Sequence, residues 1–123
     1  MFNRRFIYIQ IYRGYFLLRF YGEPEERRYE CSGLEHPRTL AGDFDSITQS
    51  MRQAFKEIST VQMWVIRPRI LVHIVPDQEG GITPIELRAF REAVQDSMKA
   101  SMILLMAGEK HGILSDEDLE NLM

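Results

Sequence analysis

Two runs of apolar and aromatic residues near the start of the chain predict a β-hairpin. The first run covers residues 6–12 and the second covers residues 15–21, and both are rich in the β-branched and aromatic side chains that favour strands. Only Arg13 and Gly14 separate the two runs, and glycine supplies the positive φ that a tight hairpin turn needs. A more polar segment at residues 27–31 follows a glutamate-rich turn. We expect it to be a third antiparallel strand at an edge of the sheet.

Sequence patterns predict one helix near the middle of the chain and another at its end. Ser46 and Gln49 match a capping box at the start of the first one. Ser115 and Asp118 begin the second, which is short. The first helix carries one apolar stripe, formed by Ile47, Met51, Ala54, Phe55 and Ile58, and this spacing is typical of a helix that buries one face.

A third helix is predicted between the two, and an apolar strand is predicted on each side of it. Its start is marked by Thr83 as N-cap, Pro84 in the first turn and Glu86 closing a capping box. Residues 70–75 before it are almost all apolar, as expected of a strand that is covered on both faces, and residues 102–106 after it are short and strand-like. The buried stripe of this helix is predicted to be Leu87, Phe90, Val94 and Met98.

The predicted order of elements is β-β-β-α-β-α-β-α, in a single domain over residues 1–123. Because strand–helix–strand crossovers are right-handed, we expect the strands at residues 70–75 and 102–106 to run parallel to each other and to the first strand. Three antiparallel strands continued by two parallel ones, with helices covering the sheet, is the ribonuclease-H-like arrangement. The expected fold class is therefore α/β with a mixed five-stranded sheet.

Charge and cysteine content narrow the classes of function. The 123 residues include 15 Lys and Arg against 18 Asp and Glu, a net charge of −3, whereas nucleic-acid-binding proteins normally show a basic excess. We therefore expect no nucleic-acid partner. The single cysteine, Cys31, excludes an internal disulfide framework and fits a reducing compartment such as the cytoplasm. No apolar run approaches the roughly 20 residues that span a bilayer.

The first residues leave one membrane alternative open. Phe2 and Phe6 flank Arg4 and Arg5, a pattern compatible with a short anchor on a membrane surface. The alternative is a frayed terminus that leads into the first strand. No small-residue cleavage site follows the basic residues, so we expect no signal peptide.

The first predicted strand lacks the acidic residue that metal-dependent enzymes of this arrangement usually place there. Its middle position is Gln10, and the first acidic residue of the chain is Glu23. We therefore expect no enzyme activity, no metal and no cofactor. His73 lies inside an apolar strand and is expected to be a hydrogen-bonded core residue, and Cys31 is expected to be a structural thiol.

The loop after residues 70–75 provides an alternative site for a nucleotide or a metal ion. Asp77 and Glu79 lie where ligands of open α/β sheets tend to bind. Gly80 and Gly81 then precede a helix start that resembles an anion-binding one. However, no Lys-Ser/Thr pair and no G-x-G-x-x-G pattern accompanies them, and a solvated turn explains the same residues.

Four segments occur in the order and spacing of a known family. They are Gly42–Met51, which leads into a helix, Arg67–Pro76, which forms a strand, Gly81–Ala93, which matches a Gly-x-Thr-x-x-Glu-x-Arg-Ala helix, and Met106–Gly108. Across these segments the chain resembles subdomain IA of the bacterial actin-like family that includes the rod-shape protein MreB. The resemblance covers more than half of the chain and implies an actin-like fold.

The departures from this family concern its nucleotide site. The family carries an Asp-Leu-Gly-Thr phosphate loop in its first hairpin, and residues 10–15 here are Gln-Ile-Tyr-Arg-Gly-Tyr, without the Asp or the Thr. The family also binds nucleotide between two large domains, whereas 123 residues correspond to about one subdomain. Because a nucleotide needs both walls of that cleft, we expect that this chain does not hydrolyse ATP.

Tyrosine and arginine residues crowd the predicted hairpin and indicate a binding surface. Both types are enriched at interface hot spots, although strand propensity alone also selects tyrosine. We predict a non-catalytic module that binds a protein: an actin-like filament, a morphogenetic complex linked to cell shape, or a second copy of this chain. Arg27 and Arg28 are interpreted as a solvated charged turn. The predicted contact residues are Tyr8, Tyr12, Arg13, Tyr15, Arg19 and Trp64.

Overall fold

A computed structural model describes residues 3–34, 43–59, 66–76, 82–108 and 112–122, with the backbone alone at residues 3–5. The described strands are β1 (Asn3–Tyr12), β2 (Tyr15–Tyr21), β3 (Arg27–Glu30), β4 (Arg69–Ile74) and β5 (Met102–Ala107). The described helices are α1 (Phe44–Ile58), α2 (Pro84–Met98) and α3 (Asp116–Leu122), with a short 3₁₀ turn at Ser32–Leu34. Over the described residues the predicted α/β class and the predicted order of elements are confirmed. Strand β1 begins three residues earlier than predicted, and the other strand ends agree within one residue.

One five-stranded sheet has the order β3-β2-β1-β4-β5. Strand β1 pairs antiparallel with β2 through the tight turn at Arg13 and Gly14, and Gly14 has the expected positive φ of 82°. Strand β1 also pairs parallel with β4, and β4 pairs parallel with β5. The predicted mixture of an antiparallel meander and two parallel strands is therefore confirmed.

Helices α1 and α2 cover one face of the sheet and enclose the main core. Side chains alternate along a strand, so every second residue of each central strand faces these helices. The strand residues of this core are Ile7, Ile9, Ile11, Phe16, Leu18, Phe20, Ile70, Val72 and Ile74, and its largest helix residues include Met51, Phe55, Phe90 and Val94. The predicted apolar stripes of both helices thus face the sheet.

The predicted N-cap residue is correct for α2 and wrong for α1. Thr83 caps α2 as predicted: its Oγ1 accepts from the Glu86 N–H at 3.1 Å, and the Glu86 carboxylate accepts from the Thr83 N–H. The cap predicted at Ser46 is wrong. Helix α1 begins at Phe44, and the carboxylate of Asp43 accepts from the Ser46 N–H at 3.2 Å. An aspartate caps as well as a serine does, and its charge also favours the positive end of the helix dipole.

Helix α3 packs on the opposite face of the sheet. Leu114 and Leu119 form a second apolar cluster with Phe6, Tyr8 and Leu71. The predicted start of this helix is confirmed, because Ser115 Oγ accepts from the N–H of Asp118 and the Asp118 carboxylate accepts from the N–H of Ser115. The Ser115 N–H and hydroxyl both donate to the Asp118 carboxylate, and these two hydrogen bonds hold the pKa of the Asp118 carboxyl below its usual range. In the described segments no helix is both long and apolar enough to cross a bilayer.

The 3₁₀ turn packs so tightly against the start of α1 that only glycine fits at position 33. A Cβ there would lie 2.8 Å from the Asp43 carbonyl oxygen and 3.0 Å from Ile47 Cγ1. We expect Gly33→Ala to lower the free energy of unfolding by about 1–3 kcal/mol, as overpacking of a close contact does. Urea unfolding followed by circular dichroism measures this. The neighbouring Ser32→Ala variant is the control, and its free energy of unfolding should stay within about 0.5 kcal/mol of the wild-type value. If the two variants are equally stable, position 33 is not in close contact with the start of α1.

Candidate functional site

The predicted contact residues of the hairpin share one face of the sheet, the face opposite α1 and α2. Tyr8, Gln10 and Tyr12 alternate with the core residues of β1. The antiparallel register places Tyr8 opposite Arg19 and Tyr12 opposite Tyr15. The register of a tight hairpin thus brings these side chains into one continuous surface, which we call the hairpin face.

Helix α3 covers the part of the hairpin face that contains Tyr8 and Arg19. Both residues are buried. The Arg19 guanidinium donates to the Asp116 carboxylate at 2.5 Å and to the Leu114 carbonyl at 2.9 Å, and it lies 5.6 Å from the centre of the Tyr8 ring. The prediction of a direct partner contact does not fit these two residues, because they hold α3 on the sheet.

A chain of three hydrogen bonds, formed by four groups, lies beneath α3. The Leu114 N–H donates to the Tyr8 hydroxyl at 3.2 Å, and that hydroxyl lies 2.7 Å from His73 Nδ1. His73 Nε2 lies 2.9 Å from the Gly108 carbonyl oxygen. A carbonyl oxygen can only accept a hydrogen bond, so the ring proton of His73 is on Nε2. His73 Nδ1 therefore accepts a hydrogen bond from the Tyr8 hydroxyl. His73 is therefore the buried, hydrogen-bonded core histidine that its position predicted.

The other part of the hairpin face is partly open and carries a stack of planar groups. The Tyr12 and Tyr15 rings are 4.9 Å apart and within 11° of parallel. The Arg28 guanidinium lies 3.7 Å from the centre of the Tyr15 ring, a distance typical of a cation–π contact. Tyr12 and Tyr15 are half-buried and Arg28 is exposed. We call these three residues the aromatic–arginine stack.

Neighbouring carboxylates and an amide hold this stack in place. The Arg28 guanidinium donates to the Glu30 carboxylate at 2.6 Å, which raises the pKa of Arg28. The Tyr12 hydroxyl donates to Gln10 Oε1 at 2.9 Å, and Gln10 Nε2 donates to Glu26 at 3.0 Å. The Tyr12 ring and the Arg28 guanidinium are thus each held by a hydrogen bond within the chain, and Tyr15 stacks between them.

Gln10 occupies the position at which the family resemblance expects the aspartate of a phosphate loop. Its side chain is buried and neutral, and both its amide nitrogen and its amide oxygen are used within the chain, by Glu26 and Tyr12. The residue therefore acts as a bridge that orients the stack. Sequence analysis identified the residue type but not this role.

Arg28 is the member of the stack that sequence analysis missed. Its neighbours in sequence suggested a solvated turn, but β3 begins at Arg27, and the register sets Arg28 opposite Leu17. The alternation along β3 was the available signal, since it places Arg28 and Glu30 on the hairpin face. The exposed Arg13 lies in the adjoining turn.

Several predicted site residues lie outside the described part of the chain. These are Trp64, the alternative site at Asp77, Glu79, Gly80 and Gly81, and Phe2 of the predicted membrane anchor, together with the side chains of Arg4 and Arg5. Cys31 is buried. The residues that are described contain no group of three or more His, Cys, Asp or Glu side chains that could hold a metal ion.

Comparisons with known proteins add no relative to this description. No family model matches the chain, and no curated protein is significantly similar to it. The geometry of the hairpin face is therefore the basis for assigning a function.

The buried Tyr8 hydroxyl lowers the free energy of unfolding as the pH becomes alkaline. Burial raises the pKa of Tyr8 from 10.0 to about 12, so the unfolded chain releases this proton first, and stability is lost as pH rises from 10 towards 12. We expect Tyr8→Phe to cost about 1–3 kcal/mol at pH 8, because it leaves buried polar partners unpaired. The difference from the wild type should shrink by about 1.4 kcal/mol between pH 8 and pH 11.

Urea unfolding of both proteins at the two pH values measures this difference. The other tyrosines are present in both chains, so their ionisation cancels. A constant difference between pH 8 and pH 11 would show that the Tyr8 hydroxyl is not buried in this way.

Proposed function

We propose that this chain is a non-catalytic protein-interaction module on an actin-like, ribonuclease-H-like scaffold that resembles subdomain IA of the MreB family. In this proposal it works in the cytoplasm, in cell shape or cytoskeletal assembly, and it binds its protein partner through the aromatic–arginine stack. The strand order β3-β2-β1-β4-β5 with helices on both faces supports the scaffold, because it is the order that the resemblance implies.

The partly exposed stack of Tyr12, Tyr15 and Arg28 is the observation that carries the proposal. Tyrosine and arginine supply large planar contact areas and dominate interface hot spots. Their immobilisation normally reduces binding energy, by about 0.5–1.5 kcal/mol for each flexible side chain. Here Tyr12 and Arg28 already form hydrogen bonds to Gln10 and Glu30, so part of that cost is met before binding.

The surroundings of Gln10 support a binding role over catalysis. Phosphoryl transfer needs a carboxylate or another polar group that is free to hold a metal ion or orient water. Gln10 has no charge, and its amide is occupied on both sides. The same residue supports the stack, so the position that serves nucleotides in the family serves the binding surface here.

Removing the stacked rings should abolish partner capture. We expect a Tyr12→Ala, Tyr15→Ala double variant to retain less than about one-thirtieth of the wild-type affinity, because one hot-spot side chain contributes roughly 2 kcal/mol or more. The measurement is affinity purification from native lysate with quantitative mass spectrometry, followed by a titration with the purified partner.

Two controls separate this effect from misfolding. An Ile85→Ala, Gln95→Ala variant changes exposed positions of α2, away from the stack, and should bind as the wild type does. A Tyr15→Phe variant keeps both rings and should retain most of the affinity. Equal capture by the double alanine variant and the wild type contradicts the assignment of the stack.

The chain should not bind Mg-ATP. Isothermal titration of the full chain with Mg-ATP, and separately with Mn²⁺, should give only heats of dilution, because the phosphate loop of the family is replaced by residues 10–15 and both amide atoms of Gln10 are hydrogen-bonded within the chain. Saturable binding of either ligand contradicts the proposal and favours the alternative site at Asp77 and Glu79.

A further inference from the structure

The two edges of the sheet differ sharply in their protection against pairing with another strand. Strand β3 is an edge of only four residues, Arg-Arg-Tyr-Glu, and Pro24 and three glutamates lie in or next to the preceding turn. Short length, charge and proline are the usual means of protecting an edge. Strand β5 is the opposite edge, and its sequence Met-Ile-Leu-Leu-Met-Ala has no charge and no proline.

Every second residue of β5 directs its backbone polar groups away from the sheet. The Gly108 N–H donates to the Ile74 carbonyl of β4, so the even-numbered residues face β4 and the odd-numbered residues face outward. In agreement, the Ile103 carbonyl accepts from Arg91 Nη1 at 3.1 Å on the outer side. Among the described residues, no strand pairs with the outward groups of Leu105 and Ala107.

Apolar side chains surround this free edge. Met102 is 46% exposed, and Ile113 and Leu122, which precede and end α3, are 49% and 44% exposed. Met106, Leu114 and Leu122 line a groove of about 320 Å³ between β5 and α3. Large exposed apolar residues next to an unpaired strand are typical of an interaction surface.

We propose that β5 pairs antiparallel with β5 of a second copy of this chain, so that two sheets join into one. The outward residues Ile103, Leu105 and Ala107 are spaced symmetrically about Leu105. A two-fold axis through Leu105 therefore pairs Leu105 with its own copy and Ile103 with Ala107 of the other copy. This register forms about six backbone hydrogen bonds, and the Ile103 carbonyl keeps its Arg91 contact, because a carbonyl oxygen has two lone pairs.

Side-chain complementarity favours a second copy over an unrelated strand. In this register Ile103 faces Ala107, Leu104 faces Met106 and Met102 faces Gly108, so that at both ends a large residue meets a small one. Strand β5 has no charged side chain, so the pairing places no like charges opposite each other, which would be destabilising. The interface lies at the edge farthest from β3, and so it is tested separately from the proposed partner of the aromatic–arginine stack.

Sedimentation equilibrium of the full chain at submillimolar concentration tests the pairing. We expect the wild type to sediment at twice its chain mass of 14.5 kDa. A Met102→Lys, Ala107→Lys variant adds charges at two exposed positions of β5 and should raise the dimer dissociation constant about tenfold or more, because a charged edge disfavours strand pairing. A Gln49→Lys, Ile85→Lys variant adds the same charge at exposed helix positions and should dimerise as the wild type does.

Amide hydrogen exchange identifies the edge directly and does not depend on the variants. The Leu105 and Ala107 amides should exchange slowly in the dimer and at least tenfold faster on dilution to monomer, whereas the Leu104 and Met106 amides should stay protected in both. The proposal is overturned if the wild type is monomeric or if the Met102→Lys, Ala107→Lys variant dimerises as the wild type does. It is also overturned if the exchange rates of the Leu105 and Ala107 amides do not change on dilution. Loss of partner capture by the stack variant with dimerisation intact bears only on the proposed function.

Discussion

The hydrogen bond between the Tyr8 hydroxyl and His73 Nδ1 determines how the second face of the sheet is covered. Both side chains are fully buried on neighbouring parallel strands, where an unpaired polar atom costs about 1–3 kcal/mol. The Tyr8 oxygen needs a donor, which is the Leu114 N–H, and His73 Nε2–H needs an acceptor, which is the Gly108 carbonyl. Satisfying both fixes the end of β5 and the chain entering α3, so two polar residues in an apolar layer select one arrangement.

The position of α3 then determines which tyrosines can meet a partner. Arg19 and Tyr21 on β2 donate to Asp116 and Glu120 of α3, which closes the hairpin face over Tyr8. The helix is only seven residues long, so it does not reach the turn end of the hairpin. Tyr12 and Tyr15 remain open there, and Gln10 links the buried and open parts of the face through its bond to Tyr12. The proposed binding surface is the part of this sheet face that the short helix leaves uncovered.

The sequence predicted the features that depend on neighbouring residues. The hairpin, the buried strand β4, the capping box at Thr83 and the polar edge β3 all follow from local patterns, and the structure confirms them. The cap of α1 failed because Asp43 and Ser46 are both good caps, and local pattern alone does not decide between them. The roles of Tyr8, Arg19 and Arg28 depended on partners up to 106 residues away, and no spacing within the chain shows on which face α3 packs.

The contrast between the two edges of the sheet connects the two proposed surfaces. Neighbouring strands lie about 4.8 Å apart, and an antiparallel pairing through β5 has its two-fold axis perpendicular to the sheet. The two aromatic–arginine stacks of such a dimer would therefore lie on the same face, roughly 40 Å apart once their offset along the strands is included. A partner with a repeating surface would engage both stacks at once. Linking two sites in this way can raise avidity by about 10²–10⁴ without any new contact, so a small and weakly binding stack would suffice for each copy.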